Sequence, residues 1–223
     1  MSLSIAENLN TIKNKIPEDV QLVAVSKTKP VEDLKKAYDA GQRIFGENKV
    51  QELREKQPQL PNDIEWHMIG HMQSNKVKYI APYISLIHGV ESLKLLQEIN
   101  RQALKNDRVI KVLLQFHIAT ESTKFGLQLK EAKEILDSEE FKRLQNIKVS
   151  GVMGMASFVE NESQVRLEFA TLKSIFEDLK INYFSSTDSF KIVSMGMSGD
   201  YSIAIEEGST MIRVGSSIFG TRN

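Results

Sequence analysis

Apolar positions along this chain follow two spacings in turn, and the alternation runs from one end to the other. Ile5, Leu9, Ile12 and Ile16 fall three to four residues apart, which predicts an amphipathic helix ending before Pro17. Val20 to Ser26 follows, apolar without interruption from Leu22 to Val25, the pattern of a strand covered on both faces. A helix over 31–40 capped by Gly41, a strand from Arg43 to Glu47, a helix from Asn48 to Gln57 and a strand from Glu65 to Gly70 continue the series. Next come a helix from Asn75 to Ala81 stopped by Pro82, a strand from Ser85 to Val90 and a helix from Ser92 to Lys105. Val109 to Ile118 is the strongest strand signal, followed by a helix over Leu127 to Leu136 and a strand over Ile147 to Met155. Val165, Phe169, Leu172, Ile175, Phe176 and Leu179 form the apolar stripe of a helix over Ser163 to Leu179. Strands over Lys191 to Met197 and Thr210 to Val214 complete the pattern, with a short helix inside Ser198 to Glu207.

About eight strands, nearly every one followed by a helix, imply a parallel sheet with right-handed crossovers, and a closed (β/α)8 TIM barrel fits that count. At 223 residues the chain is slightly shorter than the ~250 typical of this barrel, so one domain spanning residues 1–223 is expected. An open doubly wound sheet would carry a glycine fingerprint after its first strand, and Ser26-Lys27-Thr28-Lys29-Pro30 has no glycine. The composition, 41% hydrophobic and 26% charged, is that of an ordinary globular chain. A formal net charge of zero provides no basic field for nucleic acid or an anionic membrane, so neither is expected as a partner. No apolar run approaches the ~20 residues of a membrane span, and Met1 to Asn14 lacks the layout of a signal peptide. The absence of cysteine rules out disulfides, thiolate metal sites and cysteine nucleophiles, and it suits the reducing cytoplasm, the expected location. A monomer is the expected state.

In a parallel barrel the reactive groups sit just after each strand. That rule singles out Lys27, Glu47 with Asn48, His71 with Gln73, Asn75 and Lys76, Glu121 with Lys124 and Gly126, Met155, and two glycine-containing stretches. Lys27 ends the first strand. A lysine partly desolvated there favours the neutral amine, the nucleophile that a Schiff base requires. Ser194-Met195-Gly196-Met197-Ser198-Gly199-Asp200 ends the seventh strand, with Ser198 placed to cap the next helix. Arg213-Val214-Gly215-Ser216-Ser217 ends the eighth, where Gly215 allows a ligand close to the backbone. Loops after the seventh and eighth strands form the usual phosphate site of this barrel. Taken alone, Lys27 reads as the wet end of a strand, Ser198 as an N-cap, Gly215 as a turn glycine and Asn48 as a helix cap. Together, a nucleophilic lysine beside a phosphate cradle suits an aldehyde-bearing phosphate ester, a description that pyridoxal 5′-phosphate (PLP) meets. His67 and His71 have zinc-like spacing, but His67 falls within a strand and His71 beyond it, so no metal site is expected. His88 and His117 read as strand-end residues with satisfied hydrogen bonds, and Met153, Met155, Met195 and Met197 as core filler.

Five stretches carry a resemblance: Ala24 to Pro30, Phe45 to Glu52, Trp66 to Lys76, Ser194 to Asp200, and Thr210 to Arg222. Jointly they resemble the YggS/PROSC-type PLP-binding proteins, also called the PLP homeostasis proteins, across nearly the whole chain. The resemblance implies the barrel of the alanine racemase N-terminal domain and PLP held as an internal aldimine on Lys27. It further implies Ser198, Gly215 and Ser216 around the phosphate, Arg213 near the pyridine nitrogen and Asn48 near the ring. At His117 the chain departs from the family's more usual asparagine.

An arginine cannot accept a proton, so Arg213 beside the pyridine nitrogen would leave that nitrogen unprotonated and the ring a weak electron sink. A racemase also needs a proton donor on the substrate face opposite the lysine. In racemases resembling this barrel a second domain helps supply it, and none is expected after the last strand here. The expectation is therefore a protein that buffers PLP or delivers it to PLP-dependent apoenzymes without evident catalysis. The alternatives are a weak racemase or transaminase-like enzyme with Lys27 as single base, and a barrel for some other sugar phosphate.

Overall fold

In a computed structural model, which describes residues 3–120 and 125–220, eight strands close into a parallel barrel in chain order. The strands are β1 (Gln21–Val25), β2 (Ile44–Glu47), β3 (Glu65–Met68), β4 (Leu86–Val90), β5 (Ile110–Phe116), β6 (Ile147–Gly154), β7 (Ile192–Ser194) and β8 (Met211–Val214). The (β/α)8 expectation is met. Closure is made by β1 against β8, where Val23 pairs with Arg213 and Ala24 with Val214. Each strand is shorter than its apolar run predicts, because residues such as Ser26, Gly70 and Met197 turn out of the ladder into the loops that shape the site.

The helices are α1 (Ile5–Lys13), α2 (Val31–Asp39), α3 (Val50–Lys56), α4 (Leu93–Lys105), α5 (Leu129–Asp137), α6 (Glu139–Lys142), α7 (Glu162–Asn182), α8 (Tyr201–Glu206) and α9 (Ser216–Phe219). Their starts follow local chemistry. Ser4 and Glu7 form a capping box on α1, and the hydroxyl of Ser92 accepts from the Leu95 N–H to start α4. Between β3 and β4 the expected α-helix is instead a 3-10 turn, Ser74–Tyr79, whose own residues bury only Val77, in a short stretch bounded by Pro82. Helices α6 and α9 are single turns, too short for an apolar period to reveal.

Two apolar layers follow from the strand alternation. Outward residues such as Leu22, Phe45, Trp66, Ile87, Val112, Val152 and Ile212 pack under the helices, with Leu34, Leu53, Leu96, Phe169 and Leu172 above them. Inward residues Val23, Leu86, Leu113, Met153 and Met211 fill the barrel as a separate cluster. The inward positions above them on β3, β4, β7 and β8 are polar, namely His67, His88, Ser194 and Arg213, and all are buried. Gly151 on β6 has no space for a side chain, since a Cβ there would overlap the carbonyl of Ile192. The β5–β6 register also shifts beside it, between Val112 and Leu113.

Candidate functional site

At the mouth of the barrel a cavity of about 800 Å³ opens, within the range of small-molecule sites. Lys27, Asn48, Ser198, Arg213, Gly215 and Ser216 all line it. Residues nearly 190 positions apart in sequence thus meet because β1 pairs with β8.

Ser198 does not cap α8. Asp200 holds that position, and its carboxylate accepts from the Met197 N–H. The Ser198 hydroxyl turns to the neighbouring loop instead, accepting from the N–H of Gly215 at 3.2 Å and that of Ser217 at 3.5 Å. The loops after β7 and β8 are thereby tied into one polar shelf. Gly215 itself sits close under the first strand, where a Cβ would come within 3.1 Å of the Val25 carbonyl. Asn48 is likewise not a helix cap, since Lys49 precedes α3.

Arg213 is buried at the floor of the cavity. One guanidinium nitrogen donates to Ser194 Oγ at 2.7 Å and the other to the Gly154 carbonyl at 3.0 Å. Burial lowers its pKa to about 10, which still leaves it cationic at neutral pH. Ser194 Oγ is also 3.1 Å from His88 Nδ1, and His88 Nε2 lies 3.1 Å from His67 Nδ1. Burial pushes the His67 imidazole down to about 3 and His88 well below its ordinary value. Both rings are therefore neutral. With Arg213 donating to Ser194, the hydroxyl proton goes to His88 Nδ1, which makes His88 an Nε2–H donor to His67. His88 was expected at a strand end; it sits inside the barrel, and its partners are far away in the sequence.

Of the other strand-end residues, His71 and Met155 line the cavity, whereas Glu47, Gln73, Asn75, Lys76 and Gly126 do not. Glu121 and Lys124 lie outside the described residues. His117 is not among the lining residues. Sequence reasoning missed Lys29, Gln115, Phe125, Ser157, Phe158 and Ser217 at this site. Only Ser217 carried a signal, its adjacency to Gly215-Ser216. His71 stacks on Phe125 with ring centroids 4.8 Å apart and its Nδ1 lies 3.2 Å from Glu91. Among the described residues no cluster of histidine and carboxylate side chains could hold a metal ion. No helix among them is long and apolar enough to cross a membrane.

The donor set suits a ligand with three unlike handles. A lysine can reach a carbonyl, a fixed guanidinium can donate to a ring nitrogen, and serine hydroxyls with a glycine backbone can receive a phosphate.

Comparison with known proteins gives consistent matches. The family described as alanine racemase, N-terminal domain, matches residues 3–223. A pyridoxal phosphate homeostasis protein of Vibrio alginolyticus is 40% identical, covering 99% of this chain and 98% of its own. PipY of Synechococcus elongatus, solved without PLP, superposes with a TM-score of 0.90 at 34% identity, covering 97% of this chain and 100% of that one. PipY solved with PLP bound superposes at 0.87, also at 34% identity and with the same coverage. Alanine racemase from Clostridium difficile shares the fold, with a TM-score of 0.79 at 18% identity over 98% of this chain and 60% of its own.

Proposed function

The chain belongs to the alanine racemase N-terminal domain family, among its pyridoxal phosphate homeostasis proteins, and from that premise we propose that it holds PLP as a Schiff base on Lys27. In this reading residues 1–223 act as one PLP-binding barrel domain, monomeric and cytoplasmic, which buffers the cofactor or delivers it to PLP-dependent apoenzymes without turnover of its own. The observation that carries it is the convergence of Lys27 with the linked loops at Ser198 and Gly215 on one cavity.

Bound there, PLP supplies an aldehyde carbon and a pyridine ring that can accept electrons. Lys27 would bond the aldehyde end, Ser198, Gly215 and Ser216 would receive the phosphate, Asn48 would lie near the ring, and Arg213 would face the pyridine nitrogen. Its guanidinium offers donors only, and with Ser194 and Gly154 fixing two of its nitrogens it cannot swing away or take up a proton from the ring. A ring nitrogen beside it would stay unprotonated, so withdrawal of electrons from a substrate carbon would be poorly supported and the site would favour holding over turnover.

Purified protein mixed with PLP should show an absorbance band at the edge of the visible that vanishes on borohydride reduction, with the label recovered on the Lys27 peptide. Label on another peptide, or a band that survives Lys27→Ala, would defeat the assignment. Sustained production of D-amino acid or keto acid from a panel of L-amino acids would defeat the non-catalytic reading.

A further inference from the structure

We propose that Glu52 and Lys56 of α3, backed by Glu47 of β2, form a clamp on the backbone either side of Lys27 and so aim its amine at the ligand's aldehyde. This rests on the Schiff-base reading above and adds three positioning residues to it, none of which lines the cavity.

The need for a clamp comes from the lysine itself. Its side chain is a flexible four-carbon stem, so the backbone that carries it sets the point from which Nζ reaches the ligand. That backbone leaves the strand in a tight turn, closed by the Lys29 N–H donating to the Ser26 carbonyl at 3.0 Å. Lys27 and Thr28 are its central residues. Thr28 has φ +65°, left-handed backbone where such turns normally use glycine or asparagine. A β-branched residue holds that conformation only where its surroundings impose it.

The surroundings do so from both sides. The Thr28 N–H donates to Glu52 Oε2 at 2.6 Å. On the other side of Lys27, the Ser26 hydroxyl donates to Glu47 Oε1 at 2.7 Å. Lys56 joins these contacts: its ammonium donates to the Ser26 carbonyl at 2.9 Å, Glu47 Oε1 at 2.7 Å and Glu52 Oε2 at 3.0 Å. An ammonium has three protons, and these three acceptors use them all. Each acceptor is a neighbour of Lys27 or holds one. Glu52 responds accordingly: burial alone would raise its pKa, but the Thr28 N–H and Lys56 together hold it below the usual carboxylate range.

Buried ion pairs are weak sources of stability, and apolar replacements of similar size often do as well. Three ionisable side chains converging on the two residues that flank Lys27 are better explained by the geometry they impose. They also account for the Phe45 to Glu52 stretch, of which the cavity uses Asn48 alone.

Forming the Schiff base joins lysine nitrogen to the aldehyde carbon, and the aldehyde oxygen leaves as water with the two amine hydrogens. A misaimed amine slows that step without abolishing capture of the phosphate. The test compares wild type, Glu52→Ala, Glu52→Gln and Lys27→Ala as full chains, measuring the rate of the absorbance band after mixing with PLP, total PLP retained on dialysis, and the thermal melt. Glu52→Ala, folded and still retaining PLP, should form the band at least about tenfold more slowly, the scale expected for a misplaced reacting group. Glu52→Gln keeps an acceptor for Thr28 and should recover most of the wild-type rate. A wild-type rate in folded Glu52→Ala overturns the clamp, as does equal slowing in both variants in proportion to lost melting temperature. Failure of the underlying reading looks different: wild type itself would leave Lys27 unlabelled after borohydride.

Discussion

Replacing Glu47 by glutamine should change how stability depends on pH. The Glu47 carboxyl is fully buried, and burial raises its pKa from 4.5 to about 7 against the opposing pull of Lys56 at 2.7 Å and of Ser26. In the unfolded chain the group returns to its ordinary value. The folded protein therefore holds a proton that the unfolded chain has released, and stability from this group is greatest in acid and falls as pH rises through about 7. The gap between 4.5 and about 7 amounts to roughly 3 kcal/mol. His67 and His88 act the other way. Burial keeps them neutral in the fold, so they favour folding as pH rises toward the ordinary histidine value. The wild-type profile alone mixes these effects, and the difference between wild type and Glu47→Gln isolates the carboxyl. Glutamine still offers an acceptor to Ser26 and Lys56, and Lys56 retains Glu52. Urea unfolding of both proteins from about pH 5 to about pH 8 should show wild type gaining roughly 2.5 kcal/mol on the variant toward the acid end, the rest of the gap lying below pH 5. Two parallel profiles would refute the reasoning.

Gly151→Ala should leave little folded protein by circular dichroism, because the new methyl would overlap the Ile192 carbonyl where β6 meets β7. Phe169→Ala empties a fully buried position on α7 and should cost about 3–5 kcal/mol in urea unfolding. Ser194→Ala removes the acceptor of Arg213 and the donor of His88 together, which should cost roughly 1–3 kcal/mol for each group left unsatisfied. Imidazole nitrogen chemical shifts should report His67 as neutral down to pH values near its pKa of about 3, and a ring protonated near neutral pH would contradict the buried relay.

The barrel was legible because its strands are covered on both faces, so runs such as Val112-Leu113-Leu114 advertise themselves, and because helices such as α7 carry a clean apolar stripe. The position of Lys27 and Gly215 on the cavity was legible because both follow strands, and strand ends form the barrel mouth. Ser198 was found for the wrong reason. A serine before a helix reads as a cap, and only the fold reveals that Asp200 takes the role while Ser198 reaches Gly215. The His67–His88–Ser194–Arg213 chain was hidden because its members come from four strands and alternate with apolar neighbours, so each looks like an isolated polar residue. Glu168 was hidden in the same way. It sits on the buried face of α7, yet its carboxylate accepts from Ser157, Thr120 and Gln164, joining the loops after β5 and β6.

Closure of the barrel between β1 and β8 has a consequence for biosynthesis. The lysine at residue 27 leaves the ribosome nearly 190 residues ahead of the wall it meets, from Arg213 to Ser217. Until the ribosome has released that segment, the cavity lacks the wall that closes it beside the first strand. A ligand gripped by both walls would therefore load only after translation has passed the eighth strand.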